Sequence, residues 1–374
     1  MKVPANSLLR QFSLHQAEYE QKALEVLRSG WYILGKEVAS FEEEFAAFIG
    51  SKHCAGIASG LDALWMSFRL LGIGAGDEVI VASNAYIACV MGISMNNAAP
   101  VFVEPDAYEN IDTSKIEAAI TPKTKAILAV HLFGQACNMT DIMAVAGKHG
   151  LKVVEDCAQS HGNHWQGQTV GTFGDVGCFS FYPTKGLGAF GDAGAIVTND
   201  AALADAFRVF RNYGSREKYH NEVVGTNSRL DELQAGLLRV RLRHIGELNA
   251  ERVRIAERYQ RELKSPYLRL PKVRKGADST WHQYVVHAQH RGELIAYLNE
   301  RGIGTMIHYP IPPHLSEAYA YLNYHEGDFP IAEKAAEEVL SLPMFNGITA
   351  EEQGFVIESL NAFSPGESAA EPMI

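Results

Sequence analysis

The chain is 374 residues long, 47% hydrophobic and 21% charged, with a formal net charge of −11. That length exceeds one ordinary domain, so a large domain with a smaller companion is expected. The acidic balance argues against a nucleic-acid surface, which needs clustered Lys and Arg, while leaving room for small anions held by a few local donors.

Five scattered cysteines (Cys54, Cys89, Cys137, Cys157, Cys178) form no Cys-x-x-Cys pair. An odd set with apolar neighbours reads as reduced, buried thiols in a cytoplasmic protein. The start Met1–Asn6 carries no apolar leader, and no stretch reaches transmembrane length, so no membrane partner is expected.

Residues 1–35 read as an N-terminal segment packing near the active site. Residues 36–245 alternate apolar runs with helical periods. Strands are expected at Val79–Ala82, Val101–Val103, Ala126–Val130, Lys152–Glu155 and Gly194–Thr198. Continuous apolar runs fit parallel strands covered on both faces. Leu64, Trp65, Phe68 and Leu71 repeat at helical spacing over 61–71, and a helix over Met139–His149 stops at Gly150. Such units make a large, mostly parallel α/β domain. Residues 246–363 read as a smaller α+β domain: a charged helix from Ile245 to Leu263, a strand Gln283–His287 and a helix Glu293–Arg301. The polar, broken tail 364–374 is expected to be flexible.

Asp156 ends the apolar run Leu151–Val154. In open α/β sheets, ligands bind at the C-terminal ends of strands, although an aspartate there also serves as an ordinary helix cap. Lys185 follows Gly177–Thr184 and precedes a glycine-rich turn. Burial among aromatics disfavours its ammonium form and prepares the amine for Schiff-base chemistry; a structural lysine is the alternative. Glycines 186, 188, 191 and 194 precede a strand rather than open a helix, so they fail as a dinucleotide loop. Ser59-Gly60 opens an amphipathic helix, which makes either a phosphate site or a plain cap. Together the three suit pyridoxal 5′-phosphate (PLP), which needs a lysine, a carboxylate against its ring nitrogen and a seat for its phosphate.

Motifs in order along the chain carry a resemblance. They are Gly30–Gly35, Ser59–Leu64, Gly72–Val79, Val130–Gln135, Glu155–Gly162, Ser180–Lys185 and Gly225–Ala235. With these, from about Leu14 to Pro343, the chain resembles the DegT/DnrJ group of fold-type I PLP enzymes, the nucleotide-sugar aminotransferases.

The resemblance implies that Lys185 carries the cofactor as a Schiff base and that Asp156 pairs with its ring nitrogen. Gln159 would lie near the ring oxygen and Tyr86 would cover one ring face. Ser180 with the backbone at Gly60 and Leu61 would hold the phosphate, and Asn227 would reach the phosphate of a second subunit in a homodimer with shared active sites. Leu61 stands where the family usually has threonine, and Gly186 and Ala193 alter the loop after the lysine. The implied partners are a nucleotide-linked keto-sugar and L-glutamate as amino donor. The segment Met306–Leu315 is similar to enzymes aminating C-3 of dTDP-3-keto-6-deoxyhexoses, with C-4 amination the competitor and lipopolysaccharide O-antigen an expected outlet.

His308, Tyr309 and His314 are candidates to line the sugar pocket, with a packed proline-rich loop as the alternative. Trp31, Tyr32 and Tyr219 are aromatic candidates for stacking, and Arg229 for a carboxylate. His161 and His164 have ligand-like spacing but no partner set, so no metal is expected. Relatives that dehydrate sugars replace the lysine with histidine, so Lys185 favours transfer.

Overall fold

The computed structural model describes residues 1–366; residues 367–374 of the expected tail lie outside the described residues. Fourteen strands are described, in chain order. The first five are β1 (His53–Ile57), β2 (Glu78–Ala82), β3 (Ala99–Val103), β4 (Thr124–Val130) and β5 (Lys152–Asp156). A short hairpin, β6 (His164–Trp165) and β7 (Gln168–Thr169), leads to β8 (Val176–Ser180) and β9 (Gly194–Thr198). A second hairpin, β10 (Ser215–Glu217) and β11 (His220–Asn221), precedes β12 (Leu268–Arg269), β13 (Tyr284–Ala288) and β14 (Val339–Leu342).

Seven strands form one sheet in the order β1-β9-β8-β5-β4-β2-β3. β9 pairs antiparallel with both β1 and β8, and every other pairing in the sheet is parallel. The apolar strands alternate their side chains between two cores, as the two-residue strand period requires. Val79, Val81, Leu128 and Val154 face the helices Gly60–Leu70, Ile87–Ser94 and Ala201–Phe210. Ile80, Ala82, Ile127 and Val153 face the helices Lys36–Ile49, Met139–His149 and Glu232–Arg243. The expected mostly parallel α/β sheet with helices on both faces is therefore present.

Glu232 fixes one helix entrance. Its carboxylate accepts from the backbone N–H groups of Gly35 (2.7 Å), Glu37 (2.8 Å) and Val38 (2.9 Å), satisfying the free donors that begin Lys36–Ile49. That bond ties residue 35 to a helix nearly two hundred residues away.

A separate core holds Ile255, Tyr259, Tyr284, Val286, Leu340 and Leu360 around the antiparallel sheet β12-β13-β14. Val3 joins this core, exchanging backbone bonds with Gly302 and Gly304. Arg252 is 1% exposed inside it. Its guanidinium donates to Asn346 and to the carbonyls of Trp281, His282 and Met344, so one cation ties together the loop before β13 and the loop after β14. No described helix is long and apolar enough to cross a membrane.

Candidate active site

A cavity of about 590 Å³ opens where β5 and β8 end and the helix Gly60–Leu70 begins. Its lining brings together Gly60, Leu61, Tyr86, Asp156, Ser180 and Lys185 from the large sheet. His308 and Tyr309 reach it from the C-terminal part, and Ala5 and Asn6 from the N-terminal segment.

Asp156 closes β5 and is 6% exposed. Its Oδ1 accepts from the backbone N–H of Ala158 at 2.9 Å, and its Oδ2 accepts from the thiol of Cys89 at 3.0 Å. Burial, then the neighbouring Asp156 charge, pushes the Cys89 thiol well up, so it remains a donor. Lys185 sits in the turn after β8, where its backbone N–H bonds the carbonyl of Tyr182 at 2.8 Å. Desolvation lowers its pKa to about 8, opposed by Asp156 and Cys89. A lysine so placed releases its proton far more readily than one in water.

The third component is the helix entrance. Ser59 caps it, its hydroxyl accepting from the N–H of Asp62 at 3.1 Å. A Cβ on Gly60 would come within 2.5 Å of the Cβ of Ser180, so only glycine lets the helix start close on Ser180. The free N–H groups of the first turn and the Ser180 hydroxyl then share one concavity, suited to an anion.

Around this centre the histidines are held neutral. Burial, then Lys185, lowers His308 to about 4, and its Nδ1 meets the hydroxyl of Ser341 at 2.8 Å. The same two causes lower His161 to about 3, and its Nε2 donates to the carbonyl of Ser180 at 3.0 Å. His164 instead meets Asp278, so the two do not share one ligand site. His282 is likewise driven down by burial.

Tyr309 stands 4.8 Å from Tyr86, ring centre to ring centre. Gln159 lies outside the lining and spans between the backbone N–H of Phe133 (2.7 Å) and the hydroxyl of Tyr309 (3.2 Å). It orients the tyrosine rather than facing the cavity directly.

The remaining candidates fall elsewhere. His314 is buried against Phe102 and Phe329, its Nε2 bonded to Glu333 at 3.0 Å, because that carboxylate also organises the Gly327–Phe329 turn. Trp31 and Tyr32 are exposed and bond neighbouring carbonyls of their own segment. Tyr219 is 84% exposed between β10 and β11. Arg229 bonds Asn212 and lies over Tyr213, and Asn227 is exposed; neither lines this chain's own cavity. Ser228 between them bonds Asp62 and the N–H of Ala58, which pins this segment against the helix entrance.

Cys89, His282 and Asn6 are site residues that the sequence reading missed. His282 had one available signal, its place immediately before an expected strand.

The chain matches the DegT/DnrJ/EryC1/StrS aminotransferase family over residues 14–361. It belongs to that aminotransferase family. It is 50% identical over 357 residues to the dTDP-3-amino-3,6-dideoxy-alpha-D-galactopyranose transaminase of Aneurinibacillus thermoaerophilus, covering 95% of this chain and 98% of that one. It is 47% identical over 364 residues to the erythromycin biosynthesis sensory transduction protein EryC1 of Saccharopolyspora erythraea, covering 97% and 100%. Among solved structures, S. venezuelae DesV in complex with a ketimine intermediate superposes with a TM-score of 0.94 at 45% identity, over 96% of this chain and 98% of that one.

Aminotransferases of this family depend on PLP. The residues present fit that group on the geometry above: a cradle at Gly60 that a Cβ would fill, a buried carboxylate with only two donors among the described residues, and a lysine of lowered pKa in one cavity.

Proposed function

We propose that this aminotransferase moves the amino group of L-glutamate onto a nucleotide-linked keto-deoxysugar, with dTDP-3-keto-6-deoxyhexose as acceptor and the 3-amino sugar as product. The observation that carries the reading is the convergence of Lys185, Asp156 and the Gly60–Ser180 cradle on one cavity. A 50% identical relative named for a dTDP-3-amino-sugar supports the substrate class.

PLP, when bound, supplies an electron sink for the carbon that loses its proton. Lys185 Nζ would hold it and, once released, would take and return the substrate proton, a role that its pKa of about 8 suits. Asp156 would hold the proton on the ring nitrogen through its carboxylate. The hydroxyl of Ser180 and the N–H groups at Gly60 and Leu61 bind the phosphate. Tyr86, which lines the cavity, would cover one ring face.

Tyr309, held by Gln159, and His308, held by Ser341, present neutral polar groups to the sugar. Neutral donors accept a hydroxylated ligand without the desolvation cost of a charge. The aromatics Trp31, Tyr32 and Tyr219, the cation of Arg229 and the amide of Asn227 act across a homodimer with shared sites, Asn227 reaching the partner's phosphate seat. His314 supports the loop behind them. Cytoplasmic location and supply of deoxyamino sugars for O-antigen are parts of the same proposal.

The test is a panel of dTDP-, UDP- and GDP-linked 3-keto and 4-keto sugars with glutamate, scored for amino sugar by mass and NMR. A 3-amino dTDP-sugar is expected. A 4-amino product moves the chemistry to C-4, and loss of a hydroxyl without gain of nitrogen would mark a dehydratase.

A further inference from the structure

Among the described residues that line the cavity, Lys185 is the only lysine or arginine. Beyond that lysine, the donors that this chain itself offers an anionic or hydroxylated substrate in its own cavity are therefore neutral. One such donor comes from an unexpected place. Asn6, half-buried, lines the cavity from the N-terminal segment. That segment is anchored by the backbone bonds of Val3 to Gly302 and Gly304, and by the N–H of Met344 to the carbonyl of Ala5.

The orientation of the Asn6 amide follows from its partners. Arg241 is 4% exposed and has only donors to give. Its Nε donates to the carbonyl of Gly186, beside Lys185, and an NH2 donates to Oε1 of Gln11 at 2.7 Å. With its oxygen committed to the guanidinium, Gln11, 3% exposed, turns its Nε2 to Oδ1 of Asn6 at 2.7 Å. The oxygen of Asn6 is thereby occupied, and its Nδ2 protons are left for the cavity. A buried cation at one end of a chain of amides also polarises each bond toward donation at the other.

We propose that Asn6 is a specificity residue, its amide N–H aimed by Gln11 and Arg241 at an oxygen acceptor of the bound substrate. The acceptor is a carboxylate oxygen of the amino donor or a hydroxyl oxygen of the sugar; both alternate in this cavity under the transaminase reading, on which the proposal rests. Gln11 is a positioning residue, because it acts only through Asn6.

The decisive variant is Gln11→Glu, which lies outside the cavity. A glutamate accepts from Arg241 and also from Nδ2 of Asn6, so it inverts the Asn6 amide and points an oxygen at the substrate. Asn6→Asp places an acceptor there directly, and Asn6→Ala removes the donor alone. KM and kcat are measured for glutamate and for the keto-sugar separately. The dissociation constant of α-methylglutamate, which binds without transferring nitrogen, is read from the visible absorption of the cofactor-loaded protein.

Gln11→Glu and Asn6→Asp should each raise one KM about tenfold, the worth of one hydrogen bond, with kcat within about twofold. Asn6→Ala should raise it less. A matching rise in the α-methylglutamate constant assigns the acceptor to the amino donor; an unchanged constant with a raised keto-sugar KM assigns it to the sugar. Both variants melting and binding like the wild type would overturn the proposal, and if Gln11→Glu fails to fold, Asn6→Asp alone decides. A wild-type protein that transfers no nitrogen would instead overturn the functional reading and this proposal with it.

Discussion

The thiol of Cys89, on the helix after β2, donates to Oδ2 of Asp156 at 3.0 Å, joining that helix to the end of β5 through the carboxylate at the centre of the site. A donor to the charged form stabilises it. Removing that donor by Cys89→Ala leaves Asp156 with the Ala158 N–H alone among the donors of the described residues, so the carboxylate is held less firmly toward the cofactor seat. The dissociation constant for PLP should rise about threefold, since a bond to a charged group exceeds a neutral one but a thiol is a weak donor. A PLP titration followed by fluorescence checks it; an unchanged affinity would remove Cys89 from the account.

Lys185 supplies a kinetic prediction of clear sign. Only the free amine captures PLP, and burial sets its proton loss at about 8. The rate at which cofactor-free protein captures PLP should therefore climb with pH to a plateau, with its midpoint about 8. Stopped-flow absorbance measures it. A midpoint above pH 10 would mean that the lysine is not desolvated before the cofactor arrives.

The neutral histidines predict the acid limb of stability. His161 and His308 take a proton near 6.5 in the unfolded chain but only at about 3 and about 4 when folded. Unfolding then takes up protons below pH 6.5, so their contribution is complete above that pH and declines as pH falls toward 4 and 3. The thermal midpoint should drop across that window, and His161→Gln should flatten the drop. Parallel curves for the two proteins would contradict the assignment.

These site groups were unequally legible in the sequence. Lys185 and Asp156 stand in contiguous runs at strand ends, where local pattern and position agree. Strands such as Thr124–Val130 were equally plain, because burial on both faces leaves an unbroken apolar run. By contrast β1, His-Cys-Ala-Gly-Ile, hides behind small residues; a Cβ on Gly56 would sit 2.9 Å from Leu230, so the strand's composition answers to a distant neighbour. Cys89, His282 and Asn6 meet only through tertiary packing, which no local period reports. His314 looked like a pocket residue for the opposite reason: its aromatic and proline neighbours suit a sugar site and a buried core alike.

Arg252 predicts a structural cost outside the chemistry. Arg252→Met leaves the carbonyls of Trp281, His282 and Met344 and the Asn346 oxygen without their donor. The loss should be about 3 kcal/mol, as orphaned buried acceptors each cost about 1 kcal/mol or more. Arg252→Lys should recover only part, because an ammonium lacks the planar fork. Chemical denaturation gives the three stabilities, and equal values would contradict the bracing role.

The attachment point of the cofactor tests the central claim most directly. Protein loaded with PLP is reduced with borohydride, digested and mapped by mass spectrometry. The account predicts loss of the visible band and a pyridoxyl mass on the peptide holding Lys185, both absent in Lys185→Ala. A label on another lysine, or nitrogen transfer that survives in Lys185→Ala, would contradict it.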